Sequence, residues 1–140
     1  MKLVDANVLI YAVNPAAAAH ERARRWIEAS LSGSATVGFS WSALLAFLRI
    51  STRPVFATPL TIEQALGLTD DWLGASAARI VHPTATHARV LGDLLRSTGS
   101  GGNVVTDAHL AALAIEHRAE VVTFDRDFGR FPGVRWELPG

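Results

Sequence analysis

Cysteine is absent from this chain of 140 residues. That excludes a disulfide scaffold, a thiol nucleophile, a zinc–thiolate site and an iron–sulfur cluster. Lysine is nearly absent: Lys2 is the only one among 13 basic residues, so the remainder are arginine. The stretch Gly99-Ser100-Gly101-Gly102 therefore lacks the lysine of a P-loop and reads as a loop between helices. Excess charge is absent too, since 13 acidic residues balance the basic ones, and the whole molecule carries no basic footprint for nucleic acid. No basic stretch followed by a long apolar run opens the chain, so no signal peptide is expected and a cytoplasmic protein is. The uncharged stretch from Asp5 to His20 contains Asn14 and Pro15, and is too short and broken to span a bilayer. Ser40, Ser42 and Ser51 have no histidine–acid pattern around them, which argues against serine catalysis.

What is present is an apolar, globular composition. Apolar residues make up 49% and charged residues 19%, and the length suits a single domain spanning residues 1–140. The segments alternate in type. Lys2-Leu3-Val4 reads as a first strand. Residues from about 16 to 31 read as an amphipathic helix beginning in the run Ala16–Ala19 and stopped by Ser32-Gly33-Ser34. Thr36 to Phe39 is strand two. Ser40 caps a helix from Trp41 to about Ser51, apolar nearly all round and hence expected to be buried. Thr61 with Gln64 forms a capping box for the next helix. Arg79 to His82 is strand three, and Pro83-Thr84 opens a helix to about Ser97. Val104 to His117 is a helix, Ala119 to Phe124 is strand four, a short helical turn follows Asp125, and Val134 to Trp136 is an edge strand. Such alternation predicts a mainly parallel sheet of four to five strands with helices on both faces, functional groups gathering at the strands' carboxyl ends.

Two strands end in aspartate at that edge. Asp5 follows Leu3-Val4, and Asp125 follows Val121-Val122-Thr123-Phe124, with Asp127 two residues on. Asp107 stands in the first turn of the apolar helix from Val104. Each has an ordinary use, as a helix cap or at the positive end of a helix dipole. Together in one crevice they repel one another unless a cation is present. Oxygen ligands without histidine or thiol suit Mg²⁺, with Mn²⁺ as a substitute, and metal-assisted phosphodiester hydrolysis is the chemistry such a site supports. With four aspartates placed in one site, nine acids face 13 basic groups over the remaining surface.

Three motifs resemble one family. Asp5-Ala6-Asn7-Val8-Leu9 resembles the opening D-x-N-x-L of PIN domains. Thr106-Asp107-Ala108 before an apolar helix resembles their third acidic element, and Thr123-Phe124-Asp125-Arg126-Asp127-Phe128 their closing T-x-D-x-D-F. Order and spacing match over essentially the whole chain. The stretches from Trp41 to Arg49 and from Val105 to His117 look closest to the VapC toxins of type II toxin–antitoxin pairs. The resemblance implies a three-layer α/β/α PIN-like fold and a Mg²⁺-dependent endoribonuclease, neutralised by a VapB-type antitoxin and usually a homodimer. It assigns Asp5, Asp107 and Asp125 as catalytic metal-binding acids and Asp127 as a further metal-site acid. Asn7 and Thr123 become supporting residues. The expected substrate is RNA cut in an exposed loop, as in tRNA or rRNA, where the backbone can adopt an in-line geometry.

One position departs from the family. The glutamate usual on the helix after strand two falls on Ala46 or Phe47, and no acid lies between Trp41 and Arg49. This leaves the number of metals open and raises an alternative: a catalytically weak or inactive PIN-like module that binds RNA and antitoxin. A phosphoreceiver domain fits less well, because Asp5 stands alone and no lysine follows the last strand. Arg49, Arg53 and Arg126, with Arg22 and Arg25, are candidates to line an RNA path, since a guanidinium meets phosphate oxygens two at a time. Trp26, Trp41 and Trp72 are expected in the core or an interface, His82 and His87 in local hydrogen bonding, and His109 as a structural or exposed residue and not a ligand, since the helix turns it roughly 200° from Asp107.

Overall fold

A computed structural model describes residues 1–54 and 58–140. Five short strands form one sheet: β1 Lys2–Val4, β2 Val37–Phe39, β3 Ala78–Ile80, β4 Glu120–Val122 and β5 Trp136–Glu137. Their order is β3-β2-β1-β4-β5, and every neighbouring pair is parallel. β1 is central, with Lys2 opposite Val37 on one side and Glu120 on the other. Parallel strands covered on both faces must be apolar throughout. Accordingly Leu3, Val4, Val37, Phe39, Val121 and Val122 are at most 1% exposed. Lys2 pairs with Glu120 and Glu137, so the lone lysine fastens the amino ends of β1 and β4 to β5.

Among the described residues six helices cover the sheet: α1 Ala6–Ala12, α2 His20–Leu31, α3 Trp41–Ser51, α4 Ile62–Gly74, α5 His87–Thr98 and α6 Val104–Glu116. Helices α1 to α4 pack on one face, around Val4, Leu9, Leu44, Phe47, Trp72 and Val122. Helices α5 and α6 pack on the other, around Leu3, Leu94, Leu113, Val121 and Phe128. Successive strand residues thus enter opposite cores, as the period of two requires. The expected α/β/α layering is present.

Several boundaries move, each for a local reason. The first helix of the chain is α1, which the alternation did not predict; Asp5 is its cap, accepting from the Ala6 amide at 2.7 Å. The run Ala16–Ala19 is not helical. The Asn14 side chain accepts from the Ala16 amide and the His20 amide donates to the Ala17 carbonyl, a turn that delays α2 to His20. Helix α5 starts at His87 rather than near Pro83, because Thr84 donates its amide and hydroxyl to Glu116 instead of capping. The edge strand β5 is Trp136–Glu137, later than expected. Ser40 and the Thr61–Gln64 box cap α3 and α4 as read. Helix α3 is not buried all round, however: Trp41 is 44% and Leu45 59% exposed. Trp72 is in the core and Trp26 packs at its margin.

Candidate active site

The first motif is a cross-brace between the two central strands. Asp5 leaves β1 with one carboxylate oxygen on the Ala6 amide, while its other accepts from the Thr123 hydroxyl at 2.8 Å and the Asn7 amide at 3.3 Å. Asn7 also donates to Thr123 Oγ1 at 3.1 Å and accepts from the Phe124 amide at 3.1 Å. Thr123 Oγ1 accepts in turn from the Asp125 amide at 3.0 Å. Thr123 is fully buried, so its hydroxyl needs these partners. The supporting roles expected of Asn7 and Thr123 thus have a physical content: they fix the Asp5 carboxylate against the turn bearing Asp125.

That turn is a 3-10 helix, Arg126–Arg130, capped by Asp125, whose side chain accepts from the Asp127 amide at 2.8 Å. The capping use and membership of the acidic edge hold at once for Asp5 and Asp125. From α6, Asp107 lines a narrow crevice of about 30 Å³ with Asp5, Ala6, Ser42, Ala43, Ala46, Thr106 and Leu110. Burial pushes the Asp5 carboxyl up to about 6, and the charges of Asp107 and Asp125 add to the rise. Asp107 is raised as well, by burial and then by Asp125, with Asp127 contributing. The four aspartates therefore share one electrostatic environment, Asp127 at its exposed rim. Among the described residues no three such groups form a ready-made cage. The donors are nonetheless all hard oxygens in mutual repulsion, which suits Mg²⁺ or Mn²⁺ and suits zinc poorly.

Ala46 faces the crevice, whereas Phe47 is fully buried against the edge of Trp72, ring centroids 4.8 Å apart. Of the two positions on which the family's glutamate is expected to fall, only Ala46 lines the crevice. Arg49 follows Ala46 on α3 and is exposed; Arg53, just past α3, and Arg126 are exposed too. None of the three makes an ion pair with the acids among the described residues. Arg22 and Arg25 line a hollow of about 430 Å³ on α2, and Arg22 lies over the Phe124 ring at 5.8 Å. The sequence reading missed Arg130, which donates to Asp107 at 2.9 Å. Its signal was a basic residue closing a turn that an acid opens.

His87 contacts Glu116 at 2.5 Å and His109 at 2.9 Å, and His117 contacts the His82 backbone carbonyl at 2.7 Å. These bonds tie α5 and the β3–α5 connection to α6 over long sequence separations, where the sequence predicts a local role for His82 and His87. His109 does not line the crevice.

A family profile described as the PIN domain matches residues 2–134. Ribonuclease VapC37 of Mycobacterium tuberculosis is 52% identical over 140 residues, covering 99% of this chain and 97% of the relative. Ribonuclease VapC33 of the same species is 34% identical, covering 99% and 98%. Among solved structures, VapBC2 of Rickettsia felis bound to a promoter DNA fragment superimposes with a TM-score of 0.71 at 23% identity, covering 98% of this chain and 97% of that one. Mycobacterium tuberculosis VapC20, a sarcin–ricin loop cleaving toxin, gives 0.69 at 22%, covering 96% and 99%. The match to the family profile and the identity to its curated relatives place the chain in the PIN-domain family, among the VapC ribonucleases.

Proposed function

We propose that this chain is an endoribonuclease toxin, dependent on Mg²⁺ and neutralised by a VapB-type antitoxin. The observation that carries the reading is the placing of Asp5 at the carboxyl end of the central strand, in one crevice with Asp107 and beside the turn of Asp125. Its carboxyl is raised by burial and by the charges of those two acids. A bound cation relieves that repulsion. The 52% identity to a named ribonuclease over nearly the whole chain supports the same activity.

Asp5, Asp107 and Asp125 would hold the ion, with Asp127 at the rim. When bound, Mg²⁺ neutralises charge on a phosphodiester and makes water nucleophilic near neutral pH. The chain's own residues set the geometry. Thr123 and Asn7 fix one oxygen of Asp5, Ala6 fixes the other, and Asp125 is held by its own turn. Arg49 and Arg53 on one side, and Arg126 with Arg22 and Arg25 on the other, would bind the RNA backbone, phosphates being matched by guanidinium forks. A loop in structured RNA suits a crevice this narrow, because an unstacked backbone can be threaded in line. Exposed Trp41 and Leu45 on α3 and Ile62 and Leu66 on α4 supply apolar surface for a homodimer or the antitoxin.

A second reading has one observation behind it. Ala46 leaves the crevice one acid short of the family pattern. On that reading the chain binds RNA and antitoxin with little turnover. Purified protein incubated with total RNA, with and without EDTA, separates the two. Cleavage abolished by EDTA and restored by Mg²⁺ supports the nuclease; binding without cleavage at any Mg²⁺ concentration supports the module.

A further inference from the structure

Arg130 has a place in the site that neither its motif nor its relatives' names assign. It is the one basic side chain ion-paired with the crevice acids among the described residues, at 2.9 Å from Asp107 Oδ2 and 3.9 Å from Asp127 Oδ2. Both members of the close pair are partly shielded, at 32% and 29% exposure. The guanidinium rests 5.0 Å from the centroid of Phe131, a ring only 2% exposed. That ring is a fixed platform: it carries the planar group while leaving it free to slide between acceptors at its edge. Arg130 also ends the turn that Asp125 caps, so it is tethered to the site and not borrowed from a distant element.

The charges then do not permit one arrangement throughout. Arg130 holds an oxygen of Asp107 that a cation in the crevice needs. A divalent ion and one arginine together offset three of the four aspartate charges, and an arriving phosphate adds a negative charge that also needs a partner. We infer that Arg130 is the site's own removable counter-ion: it occupies Asp107 before a divalent cation binds, is displaced by that cation, and then positions the RNA phosphate. The inference rests on the nuclease reading above, with Asp107 as a metal ligand. Arginine suits both stations, because its fork accommodates a carboxylate or a phosphate equally well.

The two stations predict effects of opposite sign. Mn²⁺ alone is titrated calorimetrically into the free protein for wild type, Arg130→Met, Arg130→Lys and Asp107→Asn. Methionine keeps an unbranched apolar stem on Phe131 without the charge; should it impair folding, Arg130→Gln carries the same expectation. R130M is expected to bind Mn²⁺ about fivefold more tightly, since a competing ion pair and a like charge are both removed. In Mn²⁺ the same variant is expected to raise KM for RNA about tenfold, with partial recovery in R130K. Weaker or unchanged Mn²⁺ binding in R130M overturns the inference, as does an unchanged KM. Asp107→Asn separates the two levels: if it leaves Mn²⁺ binding intact, the metal-site reading itself fails and this inference goes with it. If it abolishes binding while R130M changes nothing, only the role of Arg130 is lost.

Discussion

Helix α6 carries an acid near each end, and the two live in opposite conditions. Asp107 in the first turn is raised from the usual carboxylate range by burial and by Asp125. Glu116 in the last turn is lowered, even though its side chain is only 1% exposed. Glu116 accepts from the Thr84 amide at 2.9 Å, the Thr84 hydroxyl at 2.7 Å and His87 at 2.5 Å. Asp107 has Arg130 and is otherwise faced by carboxylates. Burial is thus not what separates them; the supply of donors is. A buried acid surrounded by donors fastens one segment to another, here the β3–α5 connection to α6. A half-buried acid faced mostly by other acids has charge left over, which a cation from solution can offset.

Four experiments can break or sharpen that contrast. The largest effect is expected from Asp5→Asn. RNA cleavage should fall on the order of a thousandfold, about 4 kcal/mol of transition-state stabilisation, while the fold is kept. Full activity in a cleavage assay would refute the unbalanced-acid account. Next comes Glu116→Ala, which removes the charged acceptor shared by the exposed Thr84 amide and hydroxyl and the half-buried His87 ring, and should lower stability by about 2–3 kcal/mol in denaturant unfolding. Cleavage per folded molecule should stay within about twofold of wild type, because α6 keeps Asp107 in place.

The third is a pH series, in which the two acids act with opposite sign. Asp5 has a folded pKa of about 6, above its unfolded value. As pH rises from about 4, the unfolded chain releases this proton while the folded chain retains it, so folding is penalised. The penalty should grow through pH 6 and then level at about 3 kcal/mol, and metal-free D5N should escape it, melting roughly 10 °C above wild type at pH 7. Glu116 is the reverse case. Its stabilisation is present above the ordinary glutamate pKa and is lost as pH falls through the lowered folded value, so the gap between E116A and wild type should close on acidification. Equal pH dependence in the two variants would erase the distinction. The smallest effect is expected from Ala46→Glu, which adds one more acid to the crevice. Without metal it should cost about 1 kcal/mol by thermal melting, and calorimetry should then show tighter Mn²⁺ binding.

Much of this was legible before any coordinates. The order of the strands, the Ser40 and Thr61 caps and the three aspartate motifs are local signals, because periodicity and capping are read within a few residues, whereas the strands after β2 end elsewhere than expected. What failed was of another kind. Helix α1 hides inside the D-x-N-x-L motif, whose Asp5 serves as cap and site acid together. The Ala16–Ala19 run has high helix propensity, yet Asn14 and Pro15 hold it in turns. The exposure of Trp41 and Leu45 depends on which other helices reach α3, and the choice between Ala46 and Phe47 on how α3 rotates about its axis. The pairing of Arg130 with Asp107 could not be read from spacing. Asp107 is 23 residues earlier and comes close only through the packing of α6 beside the 3-10 turn.

The cross-brace of Asp5, Asn7 and Thr123 bears on when the site comes into being. The hydroxyl that orients Asp5 is 118 positions further along the chain, and Asp125 lies beyond it. β1 can pair with β2 early, yet its other neighbour is β4, the fourth of the described strands in sequence. Until synthesis passes Asp107, a nascent chain therefore lacks three of the four aspartates, and the strut that orients Asp5 comes later still. Vectorial translation and strand order together keep the acidic edge unassembled until β4 and the turn after it have emerged.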